Sequence, residues 1–174
     1  MEAVNLGVAD GLPVVEWPTA LEKLESKTPP AADDHNSRTT WLTTINEDGT
    51  PHVTPVGAVW VDGAYFFQTA AATKKGRNIA RDPRCTVAVS AQGGDIVVEG
   101  SAVQVTDHAT VARAVKAWQD QGWPCEPDAS GERITAPFNA PGLGPAPWNV
   151  YCVEARSAIV TLGAAPGGLT RFRF

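Results

Sequence analysis

The chain has 174 residues, a net charge of −5 and a sequence pI of about 5.1, long enough to bury one core without disulfides or a structural metal. With 43% hydrophobic and 19% charged residues it is composed as a globular protein and not as a disordered one. The acidic balance gives no electrostatic support for a general role on nucleic acid or on an anionic membrane, so any basic site must be local.

Cys85, Cys125 and Cys152 are odd in number, widely spaced and free of C-x-x-C pairing, so they read as buried small hydrophobes and not as a zinc site. The start of the chain lacks a basic region followed by an apolar one, and no stretch approaches the ~20 apolar residues of a membrane span. The expectation is a cytoplasmic protein.

Residues 1–37 are weakly patterned apart from Pro18–Lys27, where Leu21 and Leu24 among Glu22, Lys23 and Glu25 predict a short amphipathic helix that Pro29 and Pro30 end. Thr39–Ile45 is β-branched and aromatic and predicts a strand, followed by the turn Asn46–Gly49. His52–Val61 reads as a longer strand broken by Pro55 and Gly57, which marks an edge, a bulge or a close backbone approach to a ligand. Asp62–Gly63 signals a tight hairpin into the strand Ala64–Thr69.

Lys74–Arg81 predicts a short helix with Thr73 as its N-cap and Pro83 forbidding continuation. Arg84–Ser90 and Ile96–Thr106 are two further strands, the second able to bend at Gly100. Five strands with tight turns favour a closed or nearly closed barrel. Asp107 can cap a helix over Ala109–Gln121 with the apolar stripe Val111, Val115 and Trp118. Residues 122–147 form a long Gly- and Pro-rich loop, Trp148–Ala155 and Ala158–Leu162 return to strand character, and Leu169–Phe174 alternates so that Arg171 and Arg173 share one face. The expected organisation is an N-terminal extension over 1–37 and a single domain over 38–174.

The sharpest chemical signal is the basic turn. Lys74, Lys75, Arg77, Arg81 and Arg84 crowd into eleven positions of a chain with only 14 basic residues. A helix N-terminus carries roughly +0.5 of a charge, so lysines in its first turn cost about 0.3–1 kcal/mol each unless an anion sits there. Free N–H groups, the Thr73 hydroxyl and two ammonium groups facing solvent would bind a phosphate. A solvated basic face is the other reading that spacing alone permits.

The segments Trp41-Leu-Thr-Thr-Ile45, Asp48-Gly-Thr-Pro-His-Val-Thr-Pro-Val56, Tyr65-Phe-Phe-Gln-Thr69 and Thr73-Lys-Lys-Gly-Arg-Asn-Ile-Ala-Arg-Asp-Pro-Arg84 together resemble the pyridoxamine 5′-phosphate oxidase-like superfamily. More narrowly they are similar to its flavin/deazaflavin oxidoreductase branch. The ending Thr170-Arg-Phe-Arg-Phe174 resembles that branch too, so the likeness covers most of 38–174. It implies a mainly β fold with a few helices, a split β-barrel homodimer with cofactors in grooves between subunits. Thr73, Lys74, Lys75 and Asn78 match the phosphate-binding turn, and Gln68 and Thr69 the strand end before it. Thr54, Pro55, Val56 and Gly57 match the backbone strip beside the flavin ring, while Arg171 or Arg173 is the residue expected to reach the partner's cofactor.

Two departures matter. His52–Trp60 lacks the arginine and lysine that the vitamin oxidases place on the matching strand, which argues against vitamin B6 oxidation, and Phe172 stands where the branch has tryptophan. The resulting expectation is hydride transfer between the deazaflavin F420 and an unsaturated small organic substrate. FMN is the alternative cofactor, and a non-catalytic flavin, haem or tetrapyrrole carrier the alternative function. F420 is preferred because its acidic tail would use the surplus charge of Lys74, Lys75, Arg77 and Arg81. No catalytic side chain is assigned. His35, His52 and His108 lack ligand spacing, and Trp123, Phe138 and Trp148 are read as packing before pocket walls.

Overall fold

The computed structural model describes residues 1–25, 39–91, 93–138, 142–163 and 165–174. In chain order it contains β1 (Glu2–Asn5), a 3₁₀ turn, α1 (Trp17–Glu25), β2 (Thr40–Ile45), β3 (Pro51–Val56), β4 (Val59–Val61) and β5 (Ala64–Thr69). There follow α2 (Lys74–Arg81), β6 (Arg84–Ala91), β7 (Gly94–Val105), α3 (His108–Asp120), β8 (Glu126–Pro127), β9 (Arg133–Thr135), β10 (Trp148–Leu162) and β11 (Gly168–Arg173). The expected helix over Pro18–Lys27 is α1; the last two residues of that span lie outside the described ones.

All strand pairs are antiparallel, in the order β1-β11-β10-β7-β6-β2-β3, with β4 and β5 branching from β10. Strand β10 is the hinge of this arrangement. One of its edges pairs with β7 from Val150 to Leu162, while the other pairs first with β5 at Asn149–Val153 and then with β11 at Ser157–Leu162. The register shifts between Ala155 and Ser157, where the neighbour changes, and a bulge there bends and twists the strand. Gly100 lies opposite Ala155, and a Cβ on it would sit 2.1 Å from the Glu154 carbonyl oxygen; only glycine allows this approach. The two predicted strands Trp148–Ala155 and Ala158–Leu162 are therefore halves of one bent strand.

The alternating inward side chains of these strands meet in one core: Leu42, Tyr65, Phe67, Val87, Ile96, Val98, Tyr151, Val153, Val160 and Phe172, closed at the ends by Ala20 of α1 and Ile79 of α2. A second core lies on the other face of β4, β5 and β10, where Val111, Ala114, Val115 and Trp118 of α3 cover Val59, Phe66, Trp148 and Val150. The stripe expected of α3 is buried, and Asp107 caps that helix by accepting from the Thr110 N–H at 2.8 Å. Because β5 lies between the two cores, all of its residues but Ala64 are buried. The described part of the mainly β fold is thus an open antiparallel sheet with β1 and β3 at its ends, not a closed cylinder.

Three elements differ from the sequence reading. Residues 2–5 form β1, whose register pairs Glu2 with Arg173 and Asn5 with Thr170, so the N-terminus extends the sheet. The span His52–Val61 is two strands: after Val56 the chain leaves β2, and from Val59 it pairs with β5. Within 122–147, β8 and β9 form a small hairpin attached to the start of β10. Among the described residues no helix is long and apolar enough to cross a membrane.

Candidate functional site

The basic turn is built by the end of β5 and the first turn of α2. Thr73 is the N-cap, and its hydroxyl accepts from the Gly76 N–H at 3.1 Å while donating to the Ala70 carbonyl at 2.8 Å. The Thr69 hydroxyl is 2.7 Å from it. Within the chain the Thr73 hydroxyl is thus engaged in fixing the turn. The N–H groups of Lys74 and Lys75, in the first helical positions, have no acceptor within the helix. Gly76 is required here by contact, since a Cβ on it would lie 2.4 Å from the Ala70 oxygen.

Lys74 and Lys75 do not both face solvent. Lys74 is exposed, but Lys75 is only 6% exposed and its ammonium donates to the Gly142 carbonyl at 2.7 Å. Burial pushes its pKa below the usual lysine value, and among the described residues it forms no ion pair with a carboxylate. A buried cation with a single carbonyl partner is an arrangement that a bound anion would stabilise.

The other side of α2 is tied to the β2–β3 hairpin. Asn78 is buried and donates to the Thr44 hydroxyl and to the Asn46 side-chain oxygen, each at 3.1 Å. Arg77 and Arg81 remain exposed, and their guanidinium groups donate to the Ala72 and Ile45 carbonyls. Asn78 therefore acts as a bracket between helix and hairpin. His52, opposite Thr44 on β3, is brought to this corner: burial first, then the charges of Lys74 and Lys75, hold its imidazole below the ordinary histidine pKa.

The expected ring strip adjoins the same corner. Pro55 is exposed on the edge strand β3, where a missing N–H removes no needed ladder bond. Thr54 and Val56 face inward and are half-buried. Gly57 lies in the break between β3 and β4; its carbonyl accepts from Trp118 Nε1 at 2.7 Å, and a Cβ on it would meet only Gln68 Nε2, at 3.8 Å. Trp118 anchors the strip from α3, a role that its place in an apolar stripe did not signal.

Thr54 Oγ1 and Gln68 Oε1 are buried without a hydrogen-bond partner, as is Arg171 Nε at the far side of the sheet. Orphaned buried polar atoms are rare and call for an explanation. Two of the five such atoms among the described residues, which also include Trp60 Nε1 and Trp123 Nε1, flank the strip, and together with the buried ammonium and the uncrowded Cβ position of Gly57 they fit a planar, hydrogen-bonding cofactor with a phosphate.

Arg171 is not brought to this corner within one chain. It lies in a cross-sheet row with Ile159, Val97, Ala88, Trp41 and Pro55, five strand spacings or about 24 Å along the sheet from β3. The Arg171 face is opposite to that of Phe172, which Trp17 contacts with ring centroids 5.0 Å apart. The same outer face exposes Trp41 and Val53.

The remaining candidates carry less. Cys85, Cys125 and Cys152 are free, and burial pushes the first two thiols up to about 12 and about 11, away from nucleophilic use. Among the described residues no three His, Cys, Asp or Glu side chains gather as metal ligands. Trp148 is fully buried and Trp123 packs on it and on Trp118 at 5.8 and 5.9 Å, whereas Phe138 is exposed.

Comparison with known proteins agrees with this fold. The family model described as pyridoxamine 5′-phosphate oxidase matches residues 31–136, more than half of the chain, and the chain belongs to that family. Its fold is the flavin-binding fold of these oxidoreductases. A search of curated proteins finds no match.

Among solved structures, a pyridoxamine 5′-phosphate oxidase-related, FMN-binding protein from Nostoc punctiforme is 14% identical with a TM-score of 0.57, covering 90% of each chain. A conserved hypothetical protein, Rv2991, from Mycobacterium tuberculosis is 21% identical with a TM-score of 0.54, covering 84% of each chain. PhzG from Burkholderia lata, solved with tetrahydrophenazine-1-carboxylic acid, is 14% identical with a TM-score of 0.52, covering 80% of this chain and 78% of that one. At these identities the likeness concerns the fold alone.

Proposed function

We propose that this protein is a cytoplasmic, homodimeric oxidoreductase that binds F420 and transfers a hydride between its ring and an unsaturated small organic substrate. The observation that carries the proposal is Lys75: a buried ammonium at a helix N-terminus, with a carbonyl partner and, among the described residues, no ion-pairing carboxylate. In this reading Lys75 and Lys74 neutralise the cofactor phosphate, and the N–H groups of the first turn of α2 donate to it. Thr73, Thr69 and Asn78 hold that turn in place. Gly57 and Thr54 let the ring lie close to the backbone of β3, and Gln68 Oε1 supplies a buried acceptor for its polar edge.

When bound, the cofactor supplies the hydride chemistry; the protein's contribution is orientation and exclusion of water. FMN is the second reading. It is favoured by Arg77 and Arg81 each being engaged with a carbonyl, which takes up donors that an acidic tail would otherwise use.

The dimer belongs to the same reading. The outer row from Pro55 to Arg171, with Trp41 40% and Val53 54% exposed, offers a face for a second copy. Across it Arg171 of one subunit would approach the β3 edge of the other. Mixing the purified protein with reduced F420 and a panel of enones and quinones tests the activity. The proposal expects substrate-dependent oxidation; tight binding without turnover would leave a carrier. Sedimentation at micromolar concentration should show a dimer, and a monomer would remove that part.

A further inference from the structure

Residues 142–148 dock directly on the basic turn. Besides the bond from Lys75 to the Gly142 carbonyl, the Ala70 N–H donates to the Leu143 carbonyl at 3.0 Å and Trp148 Nε1 to the Gly144 carbonyl at 2.9 Å. Leu143 is 5% exposed in the second core. A Cβ on Gly144 would lie 3.1 Å from both Ala70 Cβ and Thr73 Cγ2, so the strap is in close contact with the N-cap turn. Gly142 and Gly144 have φ of 80° and 74°, which aims their carbonyls in directions that other residues reach only with strain.

We propose that this strap is a positioning element of the cofactor site, coupled to anion binding through Lys75; the proposal rests on the phosphate reading given above. An ammonium has three donors. The Gly142 carbonyl takes one and thereby fixes the direction of the other two. An anion on those two favours the charged form that burial disfavours, and the charged form makes the stronger bond to Gly142. The two contacts therefore stabilise one another, and the coupling is reciprocal: an anion tightens the strap, and an intact strap tightens the anion. The strap leads into Trp148, which packs on Trp123, so occupancy of the turn is felt at the start of β10.

Hydrogen exchange of the peptide spanning 142–148, with FMN as the probe, tests this. Protection should rise by about 5-fold or more when FMN binds, and Lys75→Met should show no rise even at FMN levels that saturate the variant. Gly142→Ala, at a residue with no side chain to touch a phosphate, should weaken FMN binding by about 5-fold with its unfolding midpoint measured alongside. If FMN binds and strap exchange is unchanged or faster, the coupling is wrong while the anion site stands. If FMN and F420 both fail to bind, the anion site falls and the coupling with it.

Discussion

Replacing Lys75 with methionine separates binding from folding. The substitution keeps most of the side-chain volume and removes the charge. In the cofactor-bound protein it deletes a charge-assisted contact of about 1.5–3 kcal/mol, which corresponds to a loss of affinity of about 10- to 150-fold. In the free protein two effects oppose each other. The Gly142 carbonyl loses its partner, at a cost of about 1–3 kcal/mol. A desolvated ammonium that pairs with no carboxylate among the described residues is also removed, and replacing buried charge by an apolar group of similar volume is often neutral or stabilising.

The net change in stability should stay within about 1 kcal/mol. Urea unfolding of the free protein and fluorescence titration with F420 and FMN read the two quantities independently. Unchanged affinity for both cofactors would refute the phosphate role. A stability loss above about 3 kcal/mol with unchanged affinity would make Lys75 a purely structural residue.

Other substitutions test the neighbouring contacts. Lys74→Ala, at an exposed position, should weaken binding only several-fold, and the difference from wild type should shrink as salt is raised. Gly76→Ala places a methyl 2.4 Å from the Ala70 oxygen and should cost about 1–3 kcal/mol in urea unfolding, with cofactor affinity falling as the turn shifts. Trp118→Phe removes the donor to the Gly57 carbonyl and should cost about 1–3 kcal/mol in the same assay.

His52 has its folded pKa held below the ordinary 6.5 by burial and by both lysines. The folded state therefore disfavours the imidazolium, and stability should fall as pH drops below 6.5 by more in wild type than in His52→Gln. A bound phosphate raises that pKa, so calorimetry in buffers of different ionisation heat should detect proton uptake on FMN binding that is smaller in His52→Gln. Equal uptake in both proteins would show that His52 is not beside the anion.

Features carried by local pattern were legible in the sequence. Thr73 as a cap, the helix it starts, the stripe of α3 and the opposite faces of Arg171 and Phe172 each follow from residues a few positions apart. What was missed depends on partners far along the chain. Glu2–Asn5 has no alternation of its own and is a strand because β11 offers an open edge. Lys75 reads as a surface lysine until Gly142, 67 positions away, supplies its carbonyl.

The break at Gly57 was visible as an oddity. Its cause was not: the chain must change partners, from β2 along β3 to β5 along β4, and Trp118 holds the turning point. The candidate site divides the same way, with the residue types of the turn readable in order and the burial that gives Lys75 its chemistry set only by the assembled fold.

Side-by-side titration of the purified protein with F420, FMN and haem is the most direct test of the central claim. F420 should bind more tightly than FMN, haem should not compete, and Lys75→Met should weaken both flavin-type ligands together. Tight haem binding, or F420 and FMN affinities indifferent to Lys75, would contradict it.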